Sequence, residues 1–400
     1  MSSFSAIPTA PIDPILGMTE AFKKDPASTK VNLGVGIYQD SHGAIPILES
    51  VKKATAYWIA KENTKAYLPI EGLASYNSLT QQLLFGSDSA RVNDGAVATV
   101  QTVGGSGALR IGMQFIKDFY PDAHIYISAP SWGNHRVIAT SVGIPVEDYP
   151  YYCPEKHGLN SQAMLDMLSS APAQSVVLLH ACCHNPTGVD LDHNTWNQVI
   201  QICKERSLIP FLDCAYQGFA QGVEEDAYPI RLCADSGLTF LVANSYAKSL
   251  SMYRERCGAL SVITGSSHEA LAVTSQLKRI IRTMYSSPPS FGAQVVSLVL
   301  SDPELRALWI TELEQMRLRI CEMRELFTTT LAEVAPNTDF SFMKNQRGMF
   351  SFSGLSEQSV NKLREEYHIY ALKSGRICIA ALNPQNIHYV CESIAKVLTT

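Results

Sequence analysis

Residues 209–216 read Ile209-Pro210-Phe211-Leu212-Asp213-Cys214-Ala215-Tyr216, a short apolar run that stops abruptly at an acid. Three other runs behave in the same way: His124 to Ser128, Ser175 to His180 and Thr239 to Ala243 are apolar and end in polar or small residues. Helix-like stretches lie between them, Ala108 to Phe119 and Thr195 to Arg206 among them. Such alternation predicts βα units and an α/β fold with a mostly parallel sheet. In sheets of that kind ligands bind at the carboxyl ends of the strands, so the chemistry should sit where the apolar runs stop.

Four strand-end clusters stand out. In the first, Gly104-Gly105-Ser106-Gly107 opens a helix at Ala108, where backbone N–H groups make an anion site. A plain tight turn and a dinucleotide fingerprint are the other readings, but the next strand ends in Ser128-Ala129-Pro130 rather than the acid a dinucleotide needs. The second cluster is His180-Ala181-Cys182-Cys183-His184-Asn185-Pro186-Thr187-Gly188. It invites a zinc reading, yet adjacent cysteines do not easily ligate one tetrahedral ion and no C-x-x-C partner exists, so no metal is expected. Asn185 can instead present its amide to a ligand. In the third, Asp213 is costly to bury unless a cation faces it, although it could also cap a following turn. The fourth is Ser245-Tyr246-Ala247-Lys248, with Arg256 eight residues on. A lysine desolvated just past a buried strand becomes a nucleophile toward aldehydes, while an ordinary strand-end lysine is merely solvated.

Together these groups meet the needs of pyridoxal phosphate. A helix N-terminus with Ser and Arg suits the phosphate, an acid suits the protonated pyridine nitrogen, Asn and Tyr suit the ring oxygen, and a lysine can form the imine.

The rest of the chain sets the frame. It has 400 residues, 46% hydrophobic and 17% charged, with a net charge of −5, which argues against disorder and against nucleic-acid binding. No signal segment or membrane-length apolar run is visible, and the ten cysteines are scattered in apolar stretches; a cytoplasmic protein is expected. Pro8, Pro11 and Pro14 mark an extended N-terminal arm. From Pro303, the residues Trp309, Leu313, Met316, Ile320, Met323 and Phe327 recur at spacings of three and four, predicting one long helix capped at Ser301-Asp302-Pro303-Glu304. After it, Gly348 to Ser353 and Arg376 to Ala381 are expected to be strands of a smaller α+β lobe.

The chain resembles the aspartate/aromatic aminotransferase subgroup of fold-type I pyridoxal-phosphate enzymes almost end to end. The resemblance rests on Asp13-Pro14-Ile15-Leu16-Gly17, Asn32-Leu33-Gly34-Val35-Gly36, Gly104 to Arg110, Pro130-Ser131-Trp132, His184 to Gly188, Asp213 to Phe219, Gly348 to Leu355 and Ser374-Gly375-Arg376. It implies a large cofactor-binding domain (45–315), a small domain from both chain ends (12–44 and 316–400), an arm (1–11), and a homodimer with shared active sites. It implies that Lys248 holds the cofactor as a Schiff base and shuttles the proton between the substrate and the cofactor. Asp213 would pair with the ring nitrogen, supported by His135; Trp132 would stack on the ring; Asn185 and Tyr216 would bond its oxygen. Gly105, Ser106, Ser245 and Arg256 would hold the phosphate, with Tyr67 reaching it from the other subunit. Arg376 would fork the α-carboxylate with Asn185 and the Gly36 backbone, and Arg282 of the partner subunit would meet the distal carboxylate of aspartate or glutamate.

The implied reaction is ping-pong transamination through pyridoxamine phosphate, between aspartate, glutamate and aromatic amino acids and 2-oxoglutarate or oxaloacetate. A strictly aspartate-specific enzyme, a lyase or decarboxylase on the same fold, and a non-catalytic binding module are the rival readings. Ile45, Ser106 and Ser287 resemble aromatic-accepting members, since each trims polarity or bulk around Arg282. Gln39 stands where a basic residue is frequent, and Lys248-Ser249-Leu250-Ser251-Met252-Tyr253 lacks the usual Asn-Phe-Gly.

Overall fold

The computed structural model describes residues 2–11 and 16–398, so Asp13, Pro14 and Ile15 of the expected motif lie outside the described residues. Seven strands form the main sheet: β1 (Val97–Val103), β2 (Ile125–Ala129), β3 (Val146–Pro150), β4 (Val176–His180), β5 (Ile209–Cys214), β6 (Phe240–Ser245) and β7 (Cys257–Ile263). Their order is β1-β7-β6-β5-β4-β2-β3. Only β7 runs antiparallel to its neighbours, pairing Gly258 with Thr102 on one side and with Ser245 on the other. The mostly parallel sheet expected from the alternation is what forms. The direction of β7 carries no signature in its apolar sequence.

Alternation along each strand builds two cores. Val176, Leu178, Phe211, Leu241 and Ala243 point to one face, against helices α1 (Gly104–Phe119) and α3 (Ser267–Met284). Val177, Leu179, Leu212, Phe240 and Val242 point to the other, with Trp196 of α2 (His193–Arg206). Side chains alternate across a strand, so a run buried on both faces reads as continuously apolar.

The long helix, α4, spans Pro303–Val334, and all six residues of the expected stripe are buried. Asp302 caps it, accepting from the Glu304 and Leu305 N–H groups at 2.9 and 3.0 Å, with Pro303 in the first turn. Beyond α4 the chain ends meet in small sheets: Val31–Asn32 pairs with Ile369–Tyr370, and Phe350–Phe352 with Arg376–Cys378. The second expected strand is too long by three residues. Ile379–Ala381 turns into a 3-10 helix, bonded Leu382 N–H to Ile379 O, and delivers the chain to Asn383, whose Oδ1 accepts from the Gln385 and Asn386 N–H groups in the turn before the last helix, Ile387–Leu398. The first shrinks to Phe350–Phe352, because Gly348 takes a left-handed φ of +78°. The arm residues Ser2 to Pro11 are exposed, with bonds between near neighbours such as Ser5 N–H to Ser2 O. Among the described residues no helix is long and apolar enough to cross a membrane.

Candidate active site

Topology brings the expected clusters to one edge of the sheet. β2, β4, β5 and β6 are parallel and end there. β1 also ends there and feeds α1, and antiparallel β7 starts there, just after Arg256. A cavity of about 210 Å³ opens at this edge, lined among others by Gly36, Gly105, Ser106, Trp132, Asn185, Asp213, Tyr216, Ser245, Lys248, Arg256 and Arg376. Eleven residues singled out in the sequence therefore share one cavity. His135 stands directly behind it.

One wall holds the turn into α1. Gly104 donates its N–H to Arg256 O at 2.8 Å, tying the turn to the start of β7. A side chain at Gly104 would meet the Arg256 guanidinium at 2.7 Å, and one at Gly105 would come within 3.2 Å of Ser245 Cβ. Glycine keeps this cradle of N–H groups and hydroxyls open to an anion.

The floor is Asp213. Its Oδ2 lies 2.9 Å from His135 Nε2, and His135 Nδ1 lies 2.9 Å from Ser131 Oγ. With Asp213 ionised and acceptor-only, Nε2–H donates to it. Burial pushes the Asp213 carboxyl up, but the His135 hydrogen bond and the nearby His135, His180 and Lys248 outweigh it and leave it below the usual carboxylate value. Desolvation brings Lys248 down to about 8, against the opposing pull of Asp213. Its Nζ stands 4.8 Å from the centre of the Tyr216 ring, and the Tyr216 hydroxyl is pushed up by burial.

The far wall is Arg376, only 2% exposed, with its guanidinium carbon over the Phe350 ring, 4.0 Å from the ring centre. Nη1 donates to Asn185 Oδ1 at 2.9 Å and Nη2 to Gly34 O at 2.5 Å, while Nε is buried without a partner among the described residues. A guanidinium held on two sides with an N–H left over can receive a carboxylate. Gly36 leaves room beside it, since a Cβ there would lie 2.5 Å from the Phe350 ring.

The chain matches the aminotransferase class I and II model over residues 28–394. The chain belongs to the aminotransferase class I and II family. The aminotransferase is 51% identical over 398 residues to an aspartate aminotransferase of Pseudomonas aeruginosa, with all of both chains covered. It is 47% identical to an aromatic-amino-acid aminotransferase of Escherichia coli (strain K12), over 96% of this chain and 98% of the relative. The crystal structure of an aromatic-amino-acid aminotransferase from Burkholderia pseudomallei, covalently bound to pyridoxal phosphate, superposes with a TM-score of 0.97 at 49% identity over the full length of both chains.

Two expected residues of the aminotransferase stand away from this cavity. Tyr67 is 96% exposed, and Arg282, in the last turn of α3, donates to Ser286 Oγ. One residue was missed. His180 lines the cavity, its ring 5.2 Å from that of His135, with Nε2 buried and without a partner among the described residues; burial and His135 hold it down to about 3, hence neutral. Its place as the last residue of β4, paired in register with Asp213 of β5, was the available signal. Cys182, Cys183 and Asp226 also cluster, but Asp226 accepts from the Gly218, Ala220 and Gln221 N–H groups, which explains its burial without an ion.

Proposed function

We propose that the enzyme transaminates aspartate, glutamate and the aromatic amino acids with 2-oxoglutarate or oxaloacetate, using pyridoxal phosphate. One observation carries the reading: an amine of lowered pKa and a buried carboxylate share a cavity whose far wall is an arginine with an unspent N–H. The residues present fit the cofactor, because the glycine cradle at Gly105 is open and the donor set matches its phosphate, ring oxygen and ring nitrogen. When bound, pyridoxal phosphate supplies an aldehyde that condenses with amines and a protonated ring that draws electrons from the substrate α-carbon.

The chain's own groups do the rest. Gly105, Ser106, Ser245 and Arg256 would hold the phosphate. Asp213, ionised and braced by His135, would keep the ring nitrogen protonated. Asn185 and Tyr216 would donate to the ring oxygen, and Trp132 would cover a ring face. Desolvation raises the neutral fraction of Lys248 near neutral pH, so the same Nζ would hold the cofactor and would accept and return the α-proton. Arg376 orients the α-carboxylate, with Asn185 and the Gly36 backbone beside it.

The exposure of Tyr67 and the outward position of Arg282 support a homodimer in which each subunit lends these two residues to the other's site. The proposed division is an arm (1–11), a large domain (45–315) and a small domain (12–44 and 316–400), in keeping with the sheets that join the two chain ends. Free thiols throughout fit a cytoplasmic protein.

A panel of aspartate, glutamate, tyrosine, phenylalanine and tryptophan against 2-oxoglutarate tests the reaction. Lys248→Ala should abolish turnover and the imine absorbance together. Full turnover by that variant rejects the mechanism, and aspartate turnover with none from phenylalanine rejects the aromatic range.

A further inference from the structure

The loop after Lys248 contains a residue in an unfavourable conformation. Ser251 has a left-handed φ of +51°, a region that glycine enters freely and other side chains rarely adopt. Its hydroxyl donates to Pro46 O at 2.6 Å, across 205 residues of sequence.

Pro46 belongs to a strap that begins at Gly36 in the cavity wall. The first leg is tied twice: Tyr38 N–H donates to Tyr253 Oη at 2.9 Å, and Gln39 N–H donates to Ala380 O at 3.1 Å. Asp40 closes the hairpin by accepting from the His42 and Ala44 N–H groups, and Arg319 holds Asp40 O. The return leg is exposed at Ala44, Ile45 and Ile47, and the Ser251 hydroxyl ties it to the lysine loop.

Both partners of this grip hang on the same face of α4. Trp309 Nε1 donates to Ser249 O at 2.7 Å, fixing the lysine loop. Glu312, three residues along and on the same helix face, accepts from the Glu49 and Ser50 N–H groups, fixing the helix into which the strap runs. The Ser251–Pro46 bond closes the triangle.

We infer that Ser251 is a positioning residue that pins the return leg of the strap to the lysine loop, so that the Gly36 end is held against the substrate carboxylate. The inference rests on the aminotransferase reading of the cavity. A hydroxyl kept where glycine would relieve the backbone is explained by the bond it makes.

Two variants of the full-length holoenzyme test it. Ser251→Gly removes the donor and relieves the backbone; Ser251→Ala removes the donor and keeps the Cβ. Both should raise KM for aspartate about 3- to 10-fold, the loss of roughly one hydrogen bond, with kcat within about twofold. Amide exchange over residues 43–48 should quicken in both, and Ser251→Gly should melt no lower than wild type. An unchanged KM in both variants, a rise in Ser251→Gly alone, or a fall in kcat at constant KM overturns the inference. If the wild-type enzyme transaminates no amino acid, the reading of the cavity fails instead, and unaltered exchange over 43–48 then decides against the tether on its own.

Discussion

Asp213 Oδ2 and His135 Nε2 lie 2.9 Å apart, with His135 fully buried and Asp213 almost so. A carboxylate in that position stays ionised only because its neighbours repay the lost water. Replacing Asp213 with Asn removes the charge proposed to face the ring nitrogen. The expected fall in kcat is about 10³-fold or more, equivalent to ~4 kcal/mol of barrier. His135→Asn, which leaves the carboxylate in place, should cost only on the order of 10-fold. Single-turnover rates with aspartate check the ranking, and equal losses in the two variants would contradict it.

His180 lines the cavity beside this pair and is held neutral, at about 3 against an ordinary value of 6.5. The unfolded chain therefore binds one more proton than the folded chain between those two values, and stability is lost as pH falls from 6.5 toward 3. In His180→Gln that loss should shrink by on the order of a few kcal/mol, visible as a flatter dependence of the urea midpoint on pH in this window. Identical pH profiles for wild type and variant would refute the assignment.

Most of this site was legible because parallel strands deliver their C-terminal residues to one edge. Gly105, Asn185, Asp213, Ser245 and Lys248 each follow an apolar run, so locating the runs located the site. Arg376 opens an apolar run instead of closing one, and Gly36 lies in none, so only the family resemblance pointed to them. His180 was illegible for another reason: it sits inside a run of Cys and His whose composition suggests a metal, while its role depends on the register of β4 against β5. The strand expected at Arg376 to Ala381 failed at its end because apolar Ile379-Ala380-Ala381 is equally compatible with a buried turn.

Arg376 and Arg282 should separate by substrate. Every amino acid carries an α-carboxylate, so Arg376→Lys, which loses the planar fork, should lower kcat/KM for aspartate and phenylalanine alike by about 10²-fold. Arg282→Ala should lower it by on the order of 10²-fold for aspartate while leaving phenylalanine within about threefold, because only the dicarboxylate loses a partner. Steady-state kinetics on both substrates decide the matter. A uniform loss in Arg282→Ala would remove that residue from side-chain recognition.

Gly258 and Gly133 offer a contrast in stability. Gly258 pairs with Thr102 on one side and Ser245 on the other, and an added Cβ would lie 2.5 Å from Gly104 C and 2.7 Å from Asn244 O. Both are backbone atoms that cannot swing aside, and they belong to the turn and strand that form the anion cradle. Gly258→Ala should therefore destabilise the fold by about 3 kcal/mol, the upper end for overpacking, and weaken retention of pyridoxal phosphate as the cradle shifts. At Gly133 nothing lies within 4 Å of the added atom, and the residue opens the short helix Gly133–Ser141. Gly133→Ala should stay within about 0.5 kcal/mol of wild type. Urea midpoints give the first comparison and cofactor release on dilution the second; a Gly258→Ala enzyme with wild-type values in both would mean that the sheet and the turn can separate at no cost.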